Sequence, residues 1–165
     1  MEQMQTAAKE VRMESLSPLM EEILQQGGTV ELTVTGNSMW PMLLHKVSRV
    51  RLAPIATLQR GDLPLYRRDN GAFVLHRIVD VQDGSYTCCG DNQWHLERGL
   101  RRDQMIAVVT EFSRRGDDRW VSGNDRKYRL YWQLWLAIRP LRRLIFGGWR
   151  RVKAILRQVL AKALF

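Results

Sequence analysis

The chain has 165 residues, 45% of them hydrophobic and 26% charged, and a formal net charge of +9. That length fits one domain with appendages, and the apolar fraction is enough for a core. No stretch approaches the ~18 uncharged apolar residues that a membrane span needs, and the first residues (Glu2, Lys9, Glu10, Arg12, Glu14) lack the apolar core of a signal peptide. The charge is uneven. Residues 126–165 hold 11 Lys/Arg and no acid, while the other 125 residues hold 15 basic and 17 acidic groups, so a near-neutral body carries a basic tail.

In chain order, residues 1–28 read as a helical arm. Leu16, Leu19, Met20, Ile23 and Leu24 recur at helical spacing, Ser17 stands as an N-cap before Pro18, and Gly27-Gly28 ends the helix. From Thr29 the period changes to two: Val30, Leu32 and Val34 alternate with Glu31 and Thr33, a half-buried strand leading to a bend at Ser38. Further short strands are expected over 47–52, 63–67, 72–81, 85–89 and 104–112, with turns at Gly61-Asp62, Asn70-Gly71, Asp83-Gly84 and Gly90-Asp91. Trp120-Val121 adds a last edge strand. Residues 29–124 thus predict a mostly antiparallel, folded-over β domain in an α+β chain. Residues 125–165 turn helical again, with Leu130, Leu134 and Ile138 on one line, Trp132 and Trp135 beside it, and Pro140 as an interruption. From Trp149 an apolar set (Val152, Ile155, Leu156, Val159, Leu160, Ala163) tracks one face and the cations mainly the other.

Four blocks carry candidate chemistry: Thr35-Gly36-Asn37-Ser38-Met39-Trp40-Pro41, Gly61-Asp62, Leu75-His76-Arg77-Ile78-Val79 and Gly90-Asp91-Asn92. A hydroxyl such as Ser38 is a nucleophile only when a base takes its proton, and His76 is the natural base near neutral pH. A carboxylate on the other ring nitrogen would fix the tautomer; Asp91 and Glu97 both follow the His76 block. Gly36 and Pro41 bracket Ser38 in a bend where a backbone N–H can point at a developing oxyanion. Each residue alone reads more plainly: a turn serine, a structural histidine inside an apolar run, a Gly-Asp-Asn turn. The ordered set favours a catalytic pair. Cys88 and Cys89, adjacent in sequence, suit neither a zinc site nor a disulfide framework and read as buried filler in a reduced compartment.

The four blocks, from about residue 29 to 109, resemble the type I signal peptidases and their relatives among the self-cleaving SOS repressors. His76-Arg77-Ile78 is similar to the endoplasmic-reticulum and archaeal branch, in which a His stands where bacterial enzymes carry Lys. That branch continues Gly-Asp-Asn-Asn, then an acidic residue and Arg-Gly-Leu; here the blocks are Gly90-Asp91-Asn92-Gln93 and Glu97-Arg98-Gly99-Leu100. The resemblance implies a serine endopeptidase with Ser38 as nucleophile, His76 as base, Glu97 at the charge-relay position and Asp91 in support. It implies an oxyanion and substrate region made by Gly36, Asn37, Met39 and Pro41, and no metal or organic cofactor. Three departures stand out. The relay acid is Glu rather than Asp, which leaves Glu97 and Asp91 both open as the orienting acid. Gly36 stands where signal peptidases commonly carry Ser, which shifts the oxyanion hole toward backbone N–H groups. The membrane-spanning helix usual at the start of that branch is not read here.

The implied substrate is a peptide or precursor protein bound as an added strand. The tail suits an anionic membrane surface, so the expected place of work is the cytoplasm, peripherally on the inner face of the cell membrane. A helix packed on the β body, with its charges solvated, is the plainer reading of the tail. Nucleic acid ranks last, since the short arm has no helix-turn-helix signature. A non-catalytic peptide- or membrane-binding module and a repressor-like regulator are the alternatives to a peptidase.

Overall fold

The computed structural model describes residues 13–141. Within them the order is α1 (Met13–Gln25), β1 (Val30–Thr33), β2 (Arg49–Ala53), β3 (Pro64–Arg67), β4 (Phe73–Leu75), β5 (Arg77–Gln82), β6 (Ser85–Cys89), β7 (Glu97–Leu100), a 3-10 turn (Arg102–Gln104), β8 (Met105–Ser113), β9 (Val121–Ser122) and α2 (Arg126–Ala137). The chain is α+β and mostly antiparallel. A larger, curled half-barrel sheet runs β1-β2-β8-β3-β4, with β9 also on β8, and a smaller sheet runs β5-β6-β7. The first twelve residues of the expected arm and the apolar set from Trp149 onward lie outside the described residues.

Amphipathic periodicity builds α1: Met20 and Leu24 are buried against the larger sheet's core, while Leu19 is exposed. The helix closes as a Schellman turn, in which Gly28 N–H donates to the Ile23 carbonyl at 2.9 Å and Gly27 N–H to Leu24 at 3.0 Å, with Gly27 at φ +80°. The expected start at Ser17 is corrected. α1 is already helical at Met13, and Pro18 lies inside it with Ser17 buried, because the buried apolar face outweighs the local cap signal.

Two cores follow from the two sheets. The larger gathers Met39, Met42, Leu43, Val50, Leu52, Leu63, Leu65, Ala107 and Val109; the smaller gathers Tyr66, Ile78, Tyr86, Cys88, Leu100 and Met105. The strand expected over 72–81 is two strands in different sheets, broken at His76: β4 pairs with β3 and β5 with β6. β7, which sequence reading missed, has Gly99 in four residues and no apolar alternation, yet Glu97 pairs with Cys88. At Asp83-Gly84 both residues take positive φ (48° and 73°), as a tight two-residue hairpin with the native strand twist requires. At Asn70-Gly71 only Gly71 does, while the Asn70 side chain accepts from Ala72 N–H.

α2 is capped by Asp125, whose side chain accepts from the N–H groups of Lys127 and Tyr128. It lies against the β body through Tyr128 and Trp132, and Leu136 is also buried. The line Leu130, Leu134 and Ile138 is exposed, which does not fit the plainer reading in which it packs on the β body.

Candidate active site

Ser38 sits in the turn after β1. Gly36 opens the turn at φ +87°, a conformation that favours glycine, and its N–H donates to His45 Nδ1 at 2.8 Å. That bond takes Gly36 out of the set of backbone donors available to an oxyanion. Asn37 supplies its carbonyl to Trp40 N–H at 3.2 Å and to Asn92 Nδ2 at 3.1 Å. Met39 is buried, lines the cleft beside Ser38 and accepts from Leu43 N–H. Pro41 follows a cis peptide bond and its carbonyl accepts from Arg114 Nε at 3.0 Å. The N–H groups of Ser38 and Met39 are the remaining donors at the nucleophile.

The Gly90-Asp91-Asn92 turn after β6 is stitched to this one. Asn92 N–H donates to the Ser38 carbonyl at 2.7 Å. A Cβ on Gly90 would stand 2.6 Å from that same carbonyl oxygen, so glycine is needed for close approach. Asp91 itself faces elsewhere. Its two carboxylate oxygens accept from Arg77 Nε at 2.9 Å and Nη2 at 2.7 Å, and both side chains are buried. Arg77 Nη1 donates further to the Gly61 carbonyl at 3.0 Å and to Tyr128 Oη at 2.8 Å, so every side of this buried cation has a partner. The structure therefore assigns Asp91 to Arg77 rather than to the imidazole.

His76 falls at the junction of the two sheets, and Glu97, first residue of β7, reaches it: His76 Nδ1 lies 3.0 Å from Glu97 Oε1. Tyr66 on β3 places its hydroxyl 3.2 Å from the same nitrogen. Arg68 grips Glu97 from outside with two bonds, Nε to Oε2 at 2.8 Å and Nη2 to Oε1 at 2.6 Å. With Nδ1–H directed at a carboxylate, Nε2 keeps its lone pair, which is the tautomer a general base needs.

Burial lowers the His76 pKa below its ordinary 6.5, against the opposing pull of Glu97. Burial raises the Glu97 carboxyl, but the Arg68 hydrogen bonds and the nearby His76 and Arg68 charges outweigh it, so its pKa is lowered. The site thus favours a neutral imidazole over an ionised acid. Cys88, close behind, is pushed up to about 12 by burial and is no nucleophile.

Ser38 and His76 line one cleft of about 240 Å³, together with Val34, Thr35, Met39, Arg68, Phe73, Val74, Leu75 and Gln93. Among the described residues the two make no hydrogen bond to each other. The cleft is bounded by residues following β1 and by β4, the two outer strands of the larger sheet. Tyr66 and Arg68 were not singled out from sequence. The one local hint was Arg68's place at the mouth of the Asn70-Gly71 hairpin. No group of three His, Cys, Asp or Glu among the described residues is placed to hold a metal ion. No protein family, curated protein or solved structure matches the chain.

Proposed function

We propose that the chain is a serine endopeptidase of the signal-peptidase type, acting through Ser38, His76 and Glu97. The observation that carries this reading is the His76–Glu97 pair at 3.0 Å, with His76 lining the same cleft as Ser38. Ser38 Oγ attacks the scissile carbonyl as His76 Nε2 takes its proton, and the imidazolium that forms is stabilised by Glu97. His76 then protonates the departing amine, and water repeats the cycle to release the acyl group. The oxyanion falls to the Ser38 and Met39 N–H groups. A substrate peptide binds extended, using the edges of β1 and β4 that pair with no strand among the described residues, with Val34, Phe73 and Leu75 offering apolar contact to its side chains.

A second reading, a peptide-binding module that does not cleave, is favoured by the missing Ser38–His76 hydrogen bond. The two separate on nucleophilicity. A fluorophosphonate probe followed by peptide mapping should modify Ser38 in the full chain and fail in His76→Ala. Equal labelling of both proteins, or none at Ser38, favours the module.

A further inference from the structure

We propose that the outer face of α2 docks on an anionic lipid bilayer. Leu130, Leu134, Ile138 and Leu141 follow one another at steps of four, four and three residues, with relative exposures of 58, 58, 39 and 56%. That spacing places Leu130 and Leu134 on one side of α2, and the exposed line continues through Ile138 at its C-cap to Leu141 three residues further on. The opposite side is committed to the body. Tyr128 Oη accepts from Arg77, Trp135 Nε1 donates to the Asp91 carbonyl at 3.0 Å, and the Trp132 ring covers Gly61, where a Cβ would come within 2.5 Å of it. The exposed stripe is therefore not a core face awaiting the β domain.

Charge decides the occupant. Exposed Arg126, Lys127 and Arg129 flank the stripe, and residues 142–165 add seven Lys/Arg, with no acid anywhere from 126 onward. An apolar stripe edged by cations suits the boundary between acyl chains and anionic headgroups, where both halves of the pattern are satisfied. Nucleic acid would engage the cations and leave four leucine and isoleucine side chains in water. A second copy would bring like charges together across a two-fold axis. α2 is fastened to Arg77 and Asp91, the sequence neighbours of His76 and Asn92, so docking also sets how the cleft is held against the membrane. The inference does not depend on the peptidase reading.

The test is flotation of the full chain with phosphatidylcholine vesicles, with and without phosphatidylglycerol. The protein should float only with the anionic vesicles, and less as salt rises. The triple change Leu130→Ser, Leu134→Ser and Ile138→Ser leaves every cation in place and should lower binding by about tenfold or more. Arg126→Glu with Lys127→Glu should weaken it similarly and gives a second readout if the triple variant fails to fold. Unchanged flotation of both variants overturns the proposal. So does a full chain that ignores anionic vesicles, whether it instead binds duplex DNA or forms a dimer that the triple change dissolves.

Discussion

Glu97 Oε1 stands 3.0 Å from His76 Nδ1 and accepts a 2.6 Å hydrogen bond from Arg68 Nη2 at the same time. One carboxylate thus serves an imidazole inside the protein and a guanidinium at the cleft. Arg68 fixes where Glu97 points and keeps it ionised. The second acid of the region, Asp91, is spent on Arg77.

That division of labour separates two substitutions. Glu97→Gln should lower kcat by about 10²- to 10⁴-fold while the chain stays folded, since it removes the partner of the imidazolium. Asp91→Asn should act first on stability. It leaves the buried Arg77 charge uncompensated, at a cost of about 3–5 kcal/mol by urea denaturation. A stable Asp91→Asn with a larger kcat loss than Glu97→Gln would reverse the assignment.

The lowered pKa of His76 has two pH consequences. The acid limb of kcat/KM should fall below pH 6.5, because the free base persists to lower pH than in an exposed histidine. Folding also favours the neutral ring, so its contribution to stability is complete above the unfolded pKa near 6.5 and is lost as pH falls through the lower folded value. Urea midpoints of the wild type and His76→Gln, compared between about pH 7.5 and pH 5, should converge toward acid if the sign is right.

Gly90→Ala should damage activity more than its size suggests. The new methyl meets the Ser38 carbonyl at 2.6 Å, so one of the two stitched turns must move. We expect the Asn92–Ser38 hydrogen bond to lengthen and kcat to drop by about 10²-fold, as misplacement by an ångström does in other active sites. An unchanged rate would mean that the Ser38 turn tolerates displacement.

Tyr128→Phe deletes a hydrogen bond to a buried cation and should cost about 1.5–3 kcal/mol in denaturation. Trp135→Phe removes the bond to the Asp91 carbonyl, and its expected signature is a fall in kcat with little change in KM. Were both silent, α2 would be an ornament on the β body rather than a brace for the Asp91 turn.

Local patterning made much of this legible. The alternation of Val30, Leu32 and Val34, the turn pairs at Asp83-Gly84 and Asn70-Gly71, and the order of the Ser38, His76 and Gly90 blocks all appear where a strand, a hairpin and a shared site are found. Long-range register was not legible. Tyr66 and Arg68 join the site only because Tyr66 pairs with Val74, two residues before His76, and the hairpin folds Arg68 over the cleft. The break at His76 was hidden because an apolar run looks alike whether it stays in one sheet or changes sheets. Which face of α2 meets the body was not legible either: hydrophobic patterning singles out Leu and Ile, whereas Tyr128 and Trp135 turn inward because they bring polar atoms to Arg77 and Asp91.

Peptide-bond cleavage at this site is read from the new N-termini that the protein produces in a proteome-derived peptide library. The full chain should generate a consistent set of cleavages, abolished by Ser38→Ala and by His76→Ala and strongly reduced by Glu97→Gln. No new N-termini with the wild type, or the same set with Ser38→Ala, would contradict a Ser38 peptidase.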